Sequence, residues 1–115
     1  PWAFEDFPLQ PRARNWDAWH LSPGPIVTLG SVRPVMFCNG ATKEARWRIG
    51  WLELDTGCRA ILARSEGFIV EPGPVTGDAS DIAFAASAII RGERVHLYYS
   101  ISDKTLMRAI IAVSP

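Results

Sequence analysis

Short runs that alternate apolar and polar residues make up most of the chain, and turn-forming residues separate them. A period of two is typical of β-strands, whereas no window repeats convincingly at helical spacing. The pattern predicts strands at 26–29, 35–39, 47–54, 60–63, 82–90, 95–101 and 106–113. The predicted turns are Asn39-Gly40 together with 42–45, Asp55-Thr56-Gly57, Arg91-Gly92-Glu93 and 102–105, segments that contain residue types favoured in turns. The sequence therefore predicts an all-β fold of antiparallel meanders.

The segment 82–90 is where a helix competes with a strand. Its alanines favour a helix, but its apolar residues occupy alternate positions, namely Ile82, Phe84, Ala86, Ala88 and Ile90. Because this alternation is the strand pattern, we predict a strand.

The hairpin at 35–54 has a second copy at 95–113, sixty residues later. The copies match without a gap at Val35 and Val95, Phe37 and Leu97, Trp47 and Met107, Arg48 and Arg108, and Trp51 and Ile111. Repeats of this length indicate stacked units, and four-stranded antiparallel units are typical of β-propeller blades. We predict two blades in a partial propeller, the second of which is short of its outer strand. Two blades do not close a ring, so closure requires further sequence or another chain.

We predict a single domain with four parts. Residues 1–24 form an aromatic arm, 25–65 the first blade, 66–80 a linker with brief pairing near 68–70, and 81–115 the second, incomplete blade. The prolines of the arm oppose both a long helix and a central strand. Its rings are expected to pack on the chain's own core, or else to cover a partner subunit or a ligand cleft.

Composition excludes several classes of function. Twelve basic and twelve acidic residues cancel, so no charge excess points to nucleic acid. No apolar run approaches the roughly 18 residues of a membrane span.

Two cysteines, Cys38 and Cys58, are too few for a disulfide scaffold, so we predict free thiols and a cytoplasmic location. No metal-binding spacing is present, and no metal or organic cofactor is predicted. The chain begins at Pro1 rather than methionine, which leaves open whether the natural chain continues upstream.

A family resemblance rests on three runs, FCNG at 37–40, WRIGWLELD at 47–55 and LYYSISD at 97–103. In order and spacing they resemble the last two blades of the five-bladed β-propeller glycosidases, above all the β-mannoside phosphorylases and their hydrolase relatives in glycoside hydrolase family 130. This resemblance implies cleavage of a glycosidic bond with inversion, in which a carboxylic acid protonates the leaving oxygen while phosphate or water attacks the opposite face. Inorganic phosphate would then be a co-substrate.

The same resemblance implies four sugar-site residues, Asp103, Asn39, His20 and Asp17. Asp103 stands where the family binds sugar hydroxyls, and a carboxylate accepts two such hydrogen bonds at once. Asn39 would lie near the phosphate or the attacking water. His20 and Asp17 belong to the loop that enters the first blade, from which either could reach the central funnel.

Each assignment has a structural alternative. Asp103 and Asn39 are also typical turn residues, and a histidine such as His20 is often packed or solvated. Several aromatic residues are predicted to fill the space between blades rather than to stack on sugars, namely Trp47, Trp51, Tyr98 and Tyr99. The recurring Arg48 and Arg108 are predicted to serve the repeat.

Two hypotheses about function follow. In the first, the chain is a fragment or reduced form of such an enzyme and is inactive alone, because the family's Glu-Asp-Pro-Arg region near the catalytic acid has no counterpart here. No catalytic residue is therefore assigned, and both Ser100 in place of glycine and Asn39 in place of histidine count against phosphorolysis. In the second, the chain is a stand-alone binding or assembly protein with carbohydrate as its expected ligand. Either another copy or missing blades would cover its open sheet edges.

Overall fold

A computed structural model describes residues 3, 4, 6, 7, 9–28, 33–73 and 81–112 of the chain. The regular elements in these residues are all strands, as predicted: β1 (His20–Ser22), β2 (Ile26–Val27), β3 (Val35–Ala41), β4 (Trp47–Leu54), β5 (Ile61–Arg64), β6 (Ala83–Arg91), β7 (Arg94–Ile101) and β8 (Thr105–Ala112). They form two antiparallel sheets, one built from β1 to β5 and one from β6 to β8. No helix long and apolar enough to cross a membrane occurs in the described ranges.

The first sheet has four strand positions, because β1 and β2 lie end to end along the same side of β3. Pro23-Gly24-Pro25 separates them, and Gly24 approaches β3 so closely that a Cβ there would overlap the carbonyl oxygen of Phe37. Strand β1 falls inside the segment predicted to be an arm. Its three residues carry no strand pattern of their own, and pairing with β3 gives them their conformation.

The turn between β3 and β4 agrees with the prediction only in its later part. The predicted turn residues 42–45 lie in the connection, which spans 42–46, but Asn39 and Gly40 are paired residues of β3, opposite Ile49 and Arg48. The Asn-Gly pair is a turn dipeptide in local statistics. Here the long-range pairing with β4 overrides that local preference.

The second sheet has the order β6-β7-β8, with the predicted three strands. Strand β6 contains a register shift between Ala85 and Ser87, so the alternation predicted from Ile82 onward does not run through it unbroken. Ala83 and Ala85 are buried before the shift, and Ala88 packs on the same core after it.

The prediction that the two hairpins match without a gap is wrong for their later strands, β4 and β8. Phe37 pairs with Trp51 in the first sheet, whereas the equivalent Leu97 pairs with Ala109 rather than with Ile111. The reason is the connection between the strands, which spans 42–46 in the first hairpin and only 102–104 in the second.

Two apolar clusters cover the two faces of the first sheet. The cluster between the sheets contains Val27, Phe37, Ile49, Ala83, Ala85, Val95 and Leu97. The cluster on the opposite face contains Trp16, Cys38, Leu52 and Leu54, with Phe7 and Leu9 of the arm packed against it. The arm therefore packs on the chain's own sheet, which is the first of its two predicted roles. Both cysteines are free thiols, with Cys38 buried and Cys58 exposed.

Candidate functional site

One edge of the molecule collects strand ends from both sheets. His20 pairs with Ala41 and Ala41 with Trp47, and Trp47 forms a parallel bridge with Ile82 of the segment that enters β6. The amide of Ser102 then donates to the carbonyl of Ile82 at 2.9 Å, which places the β7–β8 turn on the same edge. We call this edge, defined by His20, Ala41, Trp47, Ile82 and Ser102, the upper edge.

A chain of four aromatic rings crosses the upper edge. The His20 ring stacks on Trp47 with centroids 5.8 Å apart and planes 20° apart, and Trp47 meets Phe84 edge-on at 5.3 Å. Trp19 continues the chain with a perpendicular contact to His20 at 6.4 Å, and its ring is 56% exposed. The Lys43 ammonium lies 5.6 Å from the Trp19 centroid. Trp19, His20, Trp47 and Phe84 form a partly exposed surface that we call the aromatic strip.

The predicted core tryptophans separate into two environments. Trp51 packs against the cluster between the sheets, as expected of an inter-blade residue. Trp47 is only partly buried and belongs to the aromatic strip. Trp47 is the first residue of β4 and lies opposite the small Ala41, and its contact with Phe84 joins the two sheets at the upper edge.

Asp103 lies in the β7–β8 turn on the upper edge and is exposed. Ser102 and Asp103 both adopt the left-handed conformation, with φ of 55° and 54°, and the Lys104 amide donates to the Ile101 carbonyl at 3.0 Å. Aspartate tolerates this conformation better than most residues, so its role in the turn is clear. Its carboxylate is accessible to a ligand, and the sugar contact stays a prediction.

Asn39 lies between the sheets rather than at the upper edge, and it is fully buried. Its Oδ1 accepts from the Ala85 amide at 2.7 Å, while its Nδ2 lies 3.4 Å from the Ala85 carbonyl oxygen and 3.5 Å from that of Pro23. These contacts engage both polar atoms of the side chain. A polar residue at an inward-facing strand position is the sequence signal that could have indicated this clamp.

Asp17 is also fully buried, but on the outer face of the first sheet beneath the arm. Its carboxylate accepts from Arg12 at 2.8 Å and from Arg64 at 2.6 Å. Arg64 also donates to the carbonyl of Gln10 at 2.7 Å, so this ion cluster fastens the arm to β5. The structure thus brings His20 and Asp103 to one edge and places Asn39 and Asp17 elsewhere.

Sequence reasoning missed Arg46, which directly precedes Trp47. Its guanidinium is largely buried, and it lies 3.6 Å from the Asp81 carboxylate and 3.5 Å from that of Glu71. It also donates to the Gly73 carbonyl at 2.9 Å. Arg46 therefore ties both flanks of the connection between the sheets to the upper edge. Arginine next to a strand start is too common a pattern to have indicated this role.

Other features of the described residues offer less chemistry. They contain no group of three or more histidine, cysteine, aspartate or glutamate side chains that could hold a metal ion. An open groove of about 180 Å³ lies between the arm and the first sheet, with an apolar lining that includes Leu9, Leu21 and Met36. The upper edge is therefore the best candidate site for a polar ligand.

Comparisons with known proteins bear on the fold and on the family resemblance. No protein-family profile matches the chain. The chain is 27% identical over 107 residues to a β-1,2-mannobiose phosphorylase of Listeria innocua, a match that covers 90% of this chain and 30% of that protein. The solved structure of the Listeria innocua phosphorylase in complex with β-1,2-mannobiose matches with a TM-score of 0.79 at 25% identity, over 90% of this chain and 31% of that one.

A glycosyl hydrolase structure from Bacteroides ovatus shares the fold alone, with a TM-score of 0.70 at 16% identity over 89% of this chain and 32% of that one. These matches confirm the predicted resemblance and the partial-propeller fold. The chain is thus similar to carbohydrate-processing enzymes, and it spans about a third of their length.

Proposed function

We propose that the chain is a carbohydrate-binding portion of a β-mannoside-processing propeller, and that it binds sugar at the upper edge. The single observation that carries the proposal is the position of the exposed Asp103 and the aromatic strip on one edge. The likeness of fold and sequence to a mannobiose phosphorylase supports a mannoside as the ligand.

The Asp103 carboxylate suits the hydroxyl groups of a sugar, and the aromatic strip suits the apolar C–H face of its ring. A carboxylate accepts hydrogen bonds from two adjacent hydroxyl groups, and such charge-assisted bonds are the stronger kind. Aromatic rings offer flat apolar surface for the C–H face of a pyranose ring. His20 belongs to the strip and also carries ring nitrogens that can donate or accept a hydrogen bond.

The proposal assigns binding without cleavage to the 115-residue chain. Inverting cleavage requires an acid on one side of the glycosidic bond and an activated water or phosphate on the other. Of the described carboxylates near the upper edge, Asp81 and Glu71 both face the Arg46 guanidinium, while Glu44 and Asp103 lie in exposed connections. We assign the first two to the ion cluster around Arg46 rather than to a pair that cleaves the glycosidic bond.

The test is titration with β-1,2-mannobiose and with mannose, followed by saturation-transfer NMR and calorimetry. We expect Asp103→Asn to weaken binding by about tenfold, which corresponds to one charge-assisted hydrogen bond. Glu93→Gln is the matched control, because Glu93 is an exposed carboxylate in the turn at the opposite end of β7. The absence of any sugar signal, or equal loss in both variants, would contradict the proposed site.

The same preparation tests the absence of cleavage. Release of mannose or of mannose 1-phosphate from the disaccharide is followed with the isolated chain, with and without inorganic phosphate. We expect no turnover. Robust turnover that Asp103→Ala abolishes would overturn this part of the proposal.

A stand-alone assembly protein is the second candidate function. The observation that favours it is the group of large apolar side chains left exposed on the second sheet, namely Ile89, Ile90, Leu106, Met107 and Ile110.

A further inference from the structure

The strands at the sheet edges differ in how well their unpaired backbone is protected. Strand β5 has only four residues and ends in Arg64, Arg59 lies two positions before it, and its pairing with β4 shifts register between Glu53 and Leu54. Short length, nearby charge and irregular pairing are the usual devices that stop an edge strand from pairing with another chain.

Strand β6 is protected in a different way. Its bulge interrupts the edge between Ala85 and Ser87, and the Asn39 side chain occupies both the amide and the carbonyl of Ala85. The first sheet packs directly on β6 through β2, β3 and β4. This edge of the second sheet is therefore covered from within the chain.

Strand β8 has none of these protections. It is eight residues long, it pairs with β7 without a register shift, and Arg108 is its one charged residue. Leu106, Met107 and Ile110 are 71%, 42% and 52% exposed. No strand in the described part of the chain pairs with its outer side. A long, regular, apolar edge of this kind readily adds another strand.

No described segment of the same chain pairs with this edge.

A second copy of β8 can pair with the first without bringing like charges together. When the strands run antiparallel with Ala109 opposite its own copy, Arg108 faces Ile110 and Met107 faces Ile111. This register keeps the two Arg108 side chains apart, whereas a register centred on Arg108 would place like charges directly opposite, which is unfavourable. We propose that two copies of the chain pair in this way and join their three-stranded sheets into one continuous sheet.

Such a dimer is closed. The contact is isologous, so both copies use the same β8 edge, which is then no longer available to a third copy. The pairing does not involve the upper edge, and the inference is therefore independent of sugar binding.

The first experiment measures mass by light scattering over about a hundredfold range of concentration, because a dimer dissociates on dilution. We expect twice the 12.7 kDa of one chain at the high end. Ile110→Lys should raise the dissociation constant of the dimer by at least about tenfold, because a lysine on an edge strand opposes pairing. Leu62→Lys on β5 is the matched control, since Leu62 is 46% exposed, and it should leave the constant unchanged.

The second experiment locates the contact by hydrogen exchange. We expect the outward amides of β8 to be protected at high concentration and to lose this protection on dilution or in Ile110→Lys. Circular dichroism of both lysine variants checks that the monomer fold is kept. A monomer at all concentrations, a dimer that Ile110→Lys leaves intact, equal loss in both variants, or a dimer with unprotected β8 amides would each overturn the proposal.

Discussion

The side-chain amide of Asn39 pairs with the backbone of Ala85 in the neighbouring sheet, with Oδ1 2.7 Å from the Ala85 nitrogen and Nδ2 3.4 Å from its carbonyl oxygen. Both residues are buried in an otherwise apolar interface. Because β6 is an edge strand of the second sheet, the Ala85 groups that point away from β7 face no strand of that sheet, and the Asn39 amide takes the place of one. One polar side chain thus sets the relative position of the two sheets.

Removal of this clamp should destabilise the fold. Asn39→Ala leaves the buried Ala85 amide without its acceptor, and we expect the free energy of unfolding to fall by about 1–3 kcal/mol in urea denaturation. Asn15→Ala is the control, because the Asn15 side chain bonds only to the next amide in a half-buried turn, at 2.8 Å, where water can replace it. Equal stability of the Asn39 variant and the parent chain would show that the clamp contributes little.

Gly50 makes room for the arm, and a side chain there should push the arm away. A Cβ on Gly50 would overlap the Trp16 ring and lie 2.7 Å from Ser65 Oγ, which itself accepts from the Trp51 amide at 3.0 Å. We expect Gly50→Ala to cost about 1–3 kcal/mol of stability through overpacking.

The matched control is Gly67→Ala, because no atom lies within 4 Å of the position of its added Cβ. Its thermal midpoint should stay close to that of the parent chain. A Gly50 variant that melts with the control would contradict the packing described for Trp16.

The buried Asp17 should hold the arm in place. Asp17→Ala leaves Arg12 and Arg64 close together without their shared anion, and we expect a loss of about 3 kcal/mol, typical of a broken buried ion pair. Trypsin should then cleave the arm at Arg12 and Arg14 faster than in the parent chain. Asp6→Ala, at an exposed arm position, should leave the cleavage rate unchanged. Cleavage of the Asp17 variant at the parental rate would refute the anchor.

The two thiols should differ sharply in reactivity. Burial raises the pKa of the Cys38 thiol from 9.0 to about 11, so its reactive thiolate is scarce in the folded chain. A thiol reagent at pH 8 should modify the exposed Cys58 at once and Cys38 only after unfolding. Cys58→Ser should abolish the fast phase, and a fast phase that persists would contradict the burial of Cys38.

The same pKa shift makes stability depend on pH. The unfolded chain ionises Cys38 near pH 9 and the folded chain only near pH 11. The contribution of this thiol to stability is therefore fully present below pH 9 and is lost as the pH rises towards 11. In urea denaturation, the free energy of unfolding of Cys38→Ala should fall less between pH 9 and pH 11 than that of the parent chain. An equal fall in both would show that groups other than Cys38 cause it.

Local pattern was enough to predict most strands. The alternation of 47–54 and the turn that follows predict β4 with its observed bounds, and β6 and β8 are each displaced by one residue at their first position. The sequence did not predict β1, because its three residues become a strand only through β3. Nor did it predict that β3 continues through Gly40 to Ala41, since the local turn preference of Asn39-Gly40 is opposed by pairing with β4.

The candidate site was less predictable, because residues distant in sequence determine the surroundings of its side chains. The alternation of apolar residues indicates which face of the sheet a side chain lies on. It does not indicate how fully that face is covered, so the sequence predicts Trp47 in the core although it is only partly buried. The family resemblance predicts Asp17 and Asn39 as sugar ligands, but their surroundings come from Arg64 and Ala85, which are far away in sequence. Asp103 and His20 stay predicted sugar ligands that the proposed titration can test.

The unequal hairpins separate the length of a connection from the packing of its strands. The connections at 42–46 and 102–104 differ by two residues, and each strand still presents the same alternate positions to the interface. A slip of one residue in the strand register would expose the buried set, whereas a residue added inside a connection leaves the pairing unchanged. The two connections at the upper edge are therefore positions at which the chain can accept inserted residues without disturbing its core.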